Sequence, residues 1–221
     1  MPWNDITDEG DYVFPSRERE LLKRLDELSE FEADERKQVL KALEAVNTAP
    51  LITGITIAGE RPSERQIAAL AAELDKVPVD VISSWRARGG RAEIVPGQDA
   101  ARHPLSPFSA GIAVDGWYSG RLRGLVVVAA AKPICLLHEI GHATDHNCRF
   151  SASAEWRKID AWENRHGILK PGAMEYFADH HRGDVAESWA QSFALYHHDF
   201  ETWSALPKSI RRFVESAVAK V

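Results

Sequence analysis

The chain has 221 residues, 44% of them hydrophobic and 27% charged, with a formal net charge of −6. That composition supports a packed core and excludes wholesale disorder, and the length suits one domain, or one domain with a helical extension. An acidic chain without a long Lys/Arg run is a poor ligand for nucleic acid or a membrane surface.

Residues 1–15 read as an irregular acidic lead-in carrying Asp5, Asp8, Glu9 and Asp11. No basic segment followed by an apolar run occurs there, so no classical signal peptide is expected. The longest apolar run, LVVVAAA at 125–131, is too short to span a bilayer. Synthesis in the cytoplasm follows, and an export route that reads no apolar leader is compatible with it. Residues 16–46 show two amphipathic helical patterns, first Leu21, Leu22, Leu25 and Leu28, then Val39, Leu40, Leu43 and Val46. The break at Asn47 to Pro50 makes 1–50 an N-terminal helical segment and 51–221 the main domain.

The main domain opens on the β-prone stretch 51–57 (LITGITI). Ser63 with Gln66 forms a capping-box pattern and predicts a helix to about Lys76. Pro78 ends it, and a short helix over Val79 to Arg86 follows. Arg86, Arg88 and Arg91 cluster beside Gly89 and Gly90 and read as a solvated loop face. Three strand patterns come next, at 91–95, 112–118 and 124–130, the last expected at a sheet edge. Pro133 opens a helix to about Asn147. Further helices are predicted over Ala152 to Arg165, from Gly183 and Asp184 to His198, and after Pro207. The fold class is α+β and helix-rich, with a small sheet.

Cys135 and Cys148 flank the helix that begins at Pro133, about 20 Å apart at a rise of 1.5 Å per residue. A disulfide does not reach that far, so both are expected as free thiols.

The same helix carries His138-Glu139-Ile140-Gly141-His142, the H-E-x-x-H pattern of zinc proteases. Residues four apart on a helix lie on one face, so two imidazoles can meet one ion. Glu139, on a neighbouring face, is placed to act as general base on a water activated by zinc. In a chain with nine histidines, a chance match has odds on the order of a few per cent, so context has to carry the reading. His146 lies one turn beyond, too far to share a tetrahedral site with His138, and reads as a surface residue. Asp145 is either an outer hydrogen-bond partner of a ligand imidazole or an ordinary exposed aspartate.

A two-histidine site needs a third donor. The pattern that extends to a third histidine requires Gly at 145 and His at 148, where this chain has Asp145 and Cys148. In the helix GDVAESWAQSFALYHHD (183–199), Glu187 shares a face with Ala190, Gln191 and Ala194. Glu187 is therefore a candidate ligand, and equally fits a capping box with Asp184.

Three stretches resemble the metallopeptidase domain of anthrax lethal factor and its relatives, which include bacterial Pro-Pro endopeptidases. They are VDGWYSGRLRGLVVVAAAKPICLLHEIGHATDH, ESWAQSFALYHHD and ALPKSIRRFVESAVAKV, and the likeness runs from about Ile57 to Val221. The resemblance implies a zincin-like fold of the gluzincin type, a Zn2+ ion held by His138, His142 and Glu187, Glu139 as base, and a protein or peptide substrate. The family usually has an oxyanion-stabilising tyrosine seven residues before its glutamate ligand. Here that position is His180, followed by His181 and preceded by Tyr176, and an imidazolium can serve the same purpose. Gln191 stands where the family commonly has an acidic residue. Two other readings remain at this stage: an H-E-x-x-H peptidase that cleaves a repressor of a mobile element, and a non-catalytic zinc module that binds a partner.

Overall fold

The computed structural model describes residues 51–109, 111–122, 124–166 and 184–220. The predicted N-terminal helical segment, 1–50, lies outside the described residues, as do His180, His181 and Tyr176. The described residues are mixed α and β, as expected. In chain order they form β1 (Ile52–Gly54), α1 (Glu64–Leu74), α2 (Val79–Arg86), β2 (Arg91–Val95), a 3-10 turn (Ala100–Arg102), β3 (Gly116–Ser119) and β4 (Leu125–Ala129). Helices follow: α3 (Ile134–Cys148), α4 (Ala154–His166), α5 (Val185–His198), α6 (Phe200–Ala205) and α7 (Lys208–Val218). Among the described residues no helix is long and apolar enough to cross a membrane.

The predicted caps set the helix starts. Ser63 Oγ accepts from Gln66 N at 3.3 Å, and Gln66 Oε1 accepts from Ser63 N at 2.9 Å, closing the capping box of α1. Pro78, Pro133 and Pro207 each stand at the N-cap of the helix that follows.

The strands form a four-stranded sheet ordered β1-β2-β4-β3. β1, β2 and β4 run parallel, and β3 is antiparallel to β4, with Trp117 opposite Val127. The expectation that the strand over 124–130 lies at an edge is wrong. β4 sits between β2 and β3, and all five of its residues are buried. An uninterrupted apolar strand covered on both faces belongs in a sheet centre. The edges are β1 and β3, and β3 is shorter than its predicted span. Before it, Val114 N turns away to Asp99 Oδ1 at 3.1 Å, and the backbone contact with β4 begins where Asp115 O accepts from Ala129 N at 2.8 Å.

One face of the sheet, carrying Ala92, Ile94, Val126 and Val128, packs on the helices. The other carries Val95, Trp117, Leu125, Val127 and Ala129 and is covered by the 96–115 segment. There Glu93 accepts from His103 at 2.7 Å and from Arg91 at 3.0 Å. Burial alone would raise the Glu93 pKa, but these two partners hold it below the usual carboxylate value.

The helical side is organised by α3 against α5, the most extensive contact between elements. Gly141 permits it: a Cβ there would lie 2.8 Å from Ala190 Cα and 3.0 Å from Ala190 O. Trp189 Nε1 donates to Gly141 O at 3.0 Å across the same contact. Trp156 from α4, Trp189 from α5 and Phe213 from α7 lock the outer helices together, with ring centroids 5.1–6.2 Å apart. Both cysteines are free, Cys135 buried and Cys148 exposed.

Candidate metal centre and cleft

α3 and α5 bring the predicted ligands together. His138 Nε2 lies 3.1 Å from His142 Nε2 and 3.2 Å from Glu187 Oε2, and His142 Nε2 lies 3.3 Å from Glu187 Oε1. These three side chains form a cluster that could hold a metal ion. The spacing itself tests the fit. Ligands at 2.0–2.1 Å around a tetrahedral ion stand about 3.3–3.4 Å apart, and each pair of these side chains has a donor-to-donor approach close to that.

Protonation points the same way. Gln191 is almost fully buried and its Oε1 lies 3.1 Å from His138 Nδ1. An amide oxygen only accepts, so His138 carries a proton on Nδ1 and, when neutral, turns a lone pair at Nε2 toward the cluster. That lone pair, a carboxylate and a second imidazole nitrogen then face one point. A cation there satisfies all three.

Glu187 does not serve as the helix cap. Asp184 caps α5 alone, its side chain accepting from Ala186 N at 2.8 Å, while the Glu187 carboxylate turns to the two histidines. Burial would raise the Glu187 pKa, but hydrogen bonds and positive charge from His138 and His142 outweigh it and hold the group well below the carboxylate range.

Glu139 lies beside the cluster but outside it. Only 6% of it is exposed, and among the described residues no donor is hydrogen-bonded to its carboxylate. Burial pushes its pKa up to about 7; the charge of His138 opposes this and that of Glu187 reinforces it. Gly116 of β3 makes room for it, since a Cβ there would lie 3.1 Å from Glu139 Cγ and Oε1.

These groups line a cleft of about 570 Å³. Gly116, Trp117 and Tyr118 form one wall, His138, Glu139 and His142 the floor, and Glu187 the far side. β3 runs alongside α3. Gly116 lies by Glu139, while Tyr118 and Gly120 lie by His146, whose ring is 5.9 Å from that of Tyr118. His146 is exposed, as expected. Asp145 is not an outer partner of a cluster histidine: it binds Ser151, at 2.7 Å to N and 2.6 Å to Oγ, and closes the turn after α3. The outer partner is Gln191. Its position one turn after Glu187 on the same face was the signal that could have assigned it that role.

The arrangement defines a class: two helix-borne histidines and a glutamate from a second helix at the base of a cleft, with a buried carboxylate next to them and an open strand along the wall. The chain matches no known protein-family model and no curated protein, so the class rests on the geometry.

Proposed function

We propose that the chain is a zinc-dependent peptidase of the lethal factor-like kind, hydrolysing peptide bonds with Glu139 as general base. The observation that carries this is the pairing of two features: three side chains whose donor atoms lie within 4.8 Å of one another, and a buried carboxylate beside them that is not one of the three. The donor set of two imidazoles and one carboxylate suits zinc, with His138, His142 and Glu187 as ligands. Zinc bound there supplies Lewis acidity, bringing the pKa of a coordinated water to about 7.

The protein's own groups do the rest. Gln191 fixes the His138 ring with its Nε2 toward the cluster. Glu139 takes the proton of the attacking water, and burial keeps its basicity near neutral pH, where a general base works best. Burying a carboxylate so deeply costs stability. A module that only bound a partner would gain nothing from that cost, which favours the enzyme over the binding module.

β3 takes the role expected of the 124–130 strand. Among the described residues nothing pairs with its outer edge. An extended peptide added there by strand pairing passes over Glu139 at Gly116. Mixed peptides incubated with the zinc-loaded protein test the proposal. Cleavage that stops on chelation and returns with added zinc supports it; a zinc-loaded, folded protein that cuts no peptide sinks it.

A further inference from the structure

The cleft has unlike ends. At the Gly116 end, Asp115 and Lys132 are paired with each other. At the other end, three segments converge. The α2–β2 turn meets the β3–β4 turn through Trp85 Nε1, which donates to Gly124 O at 2.9 Å, and through Arg91, which reaches Leu122 O at 3.5 Å. The β3–β4 turn meets the end of α3, since a Cβ on Gly120 would lie 2.8 Å from the His146 ring.

Each segment carries a basic side chain at the surface: Arg88, Arg121, and His146 with Arg149. Arg88 is near enough to favour the ionised forms of both Tyr118, on the cleft wall, and Cys148, at the end of α3. Of the acidic groups nearby among the described residues, Glu93 is ion-paired with Arg91 and His103, and Asp145 is turned to Ser151 but still opposes Arg88 at Cys148. Basic side chains therefore gather where these three segments meet, beside Tyr118 of the cleft wall, in a chain whose net charge is −6. The arginine cluster that reads in sequence as a solvated face divides in the structure. Arg91 serves Glu93, and Arg88 joins these basic side chains.

We infer that the rim formed by Arg88, Arg121, Arg149 and His146 selects peptides with an acidic side chain on one flank of the segment lying along β3. The inference rests on the peptidase reading and adds a substrate class to it. Gly116 and Gly120 are four residues apart, about 13 Å at the rise of an extended chain. A peptide residue over the rim thus lies three or four positions from the bond above Glu139. Exposed charge pairs are individually weak, so the three arginines acting together give about a three- to tenfold preference that fades with salt.

Binding tests this without turnover. Fluorescein-labelled short peptides of alanine and serine, one with two glutamates near an end and one with two lysines there, are titrated into full-length Glu139→Gln protein loaded with zinc. The glutamate peptide is expected to bind three- to tenfold more tightly at low salt. In the Arg88→Glu/Arg121→Glu background, both arginines being exposed, the order should reverse. Equal affinities, or a preference that survives the charge reversal, overturn the inference. So does a single-stranded oligonucleotide of equal charge that displaces the peptide better than unlabelled glutamate peptide, because the rim is then a nucleic-acid surface. Failure of hydrolysis is read separately, from cleavage by the unmodified protein.

Discussion

Replacing Gln191 by leucine separates metal affinity from stability. The side chain is almost fully buried, and its Oε1 holds His138 Nδ1 at 3.1 Å. Its Nε2 is buried and has no hydrogen-bond partner among the described residues. Leucine has nearly the same volume, so packing between α3 and α5 survives. The loss is the bond that fixes the His138 tautomer and ring orientation, and outer partners of this kind are worth about 10- to 100-fold in metal affinity. That is about 1.4–2.7 kcal/mol on the bound state alone. The metal-free fold, by contrast, sheds an unsatisfied buried amide, which offsets about 1–3 kcal/mol against the lost hydrogen bond. Gln191→Leu should therefore hold zinc 10- to 100-fold more weakly while unfolding in urea, metal-free, at or above the wild-type midpoint. Chelator competition and urea titration of the same preparations measure the two. Wild-type zinc affinity would refute the role given to Gln191. A metal-free protein destabilised by several kcal/mol would show that the side chain is there for packing.

Glu187→Ala removes the proposed third ligand but leaves the Asp184 cap in place, so zinc content should collapse while metal-free helicity by circular dichroism stays near wild type. A mutant that keeps its zinc would return Glu187 to a structural role. Gly141→Ala forces a Cβ into the backbone of Ala190 and should cost about 1–3 kcal/mol, roughly 3–10 °C in Tm by calorimetry. An unchanged Tm would mean that the two helices separate freely. His197 is held by burial at a pKa of about 4, against 6.5 unfolded. Because the unfolded chain takes up the proton more readily, stability should fall as pH drops from 6.5 toward 4, by at most about 3 kcal/mol. His197→Leu should flatten that part of the urea-midpoint profile, and an equally steep profile in the mutant would place the acid sensitivity elsewhere.

The parts of the fold that sequence reveals are those set by short-range chemistry. The Ser63–Gln66 capping box, the prolines at helix starts and the four-residue spacing of His138 and His142 act within one or two turns, and each appears where expected. Glu187 was legible as a candidate because a two-histidine site needs a third donor, and the structure gives the cap to Asp184 and turns Glu187 to the two histidines. Long-range facts were harder to see. The central place of β4 was hinted at by its unbroken apolar run, since an edge strand with a solvated face would alternate. Gln191, the Glu93–His103 pair and the fit of Gly116 over Glu139 join residues distant in sequence, and no local pattern encodes them. Asp145 misled because helical spacing places it near His142, while the turn after α3 supplies Ser151 as a better partner.

Substituting Glu139 by glutamine, then measuring bound zinc and peptide hydrolysis on one sample, tests the central claim most directly. Glutamine keeps the shape and removes the proton acceptor without touching His138, His142 or Glu187. Zinc at the wild-type level with hydrolysis reduced by at least about 10²–10⁴-fold is the predicted result. Hydrolysis at the wild-type rate in a zinc-loaded Glu139→Gln protein would contradict it.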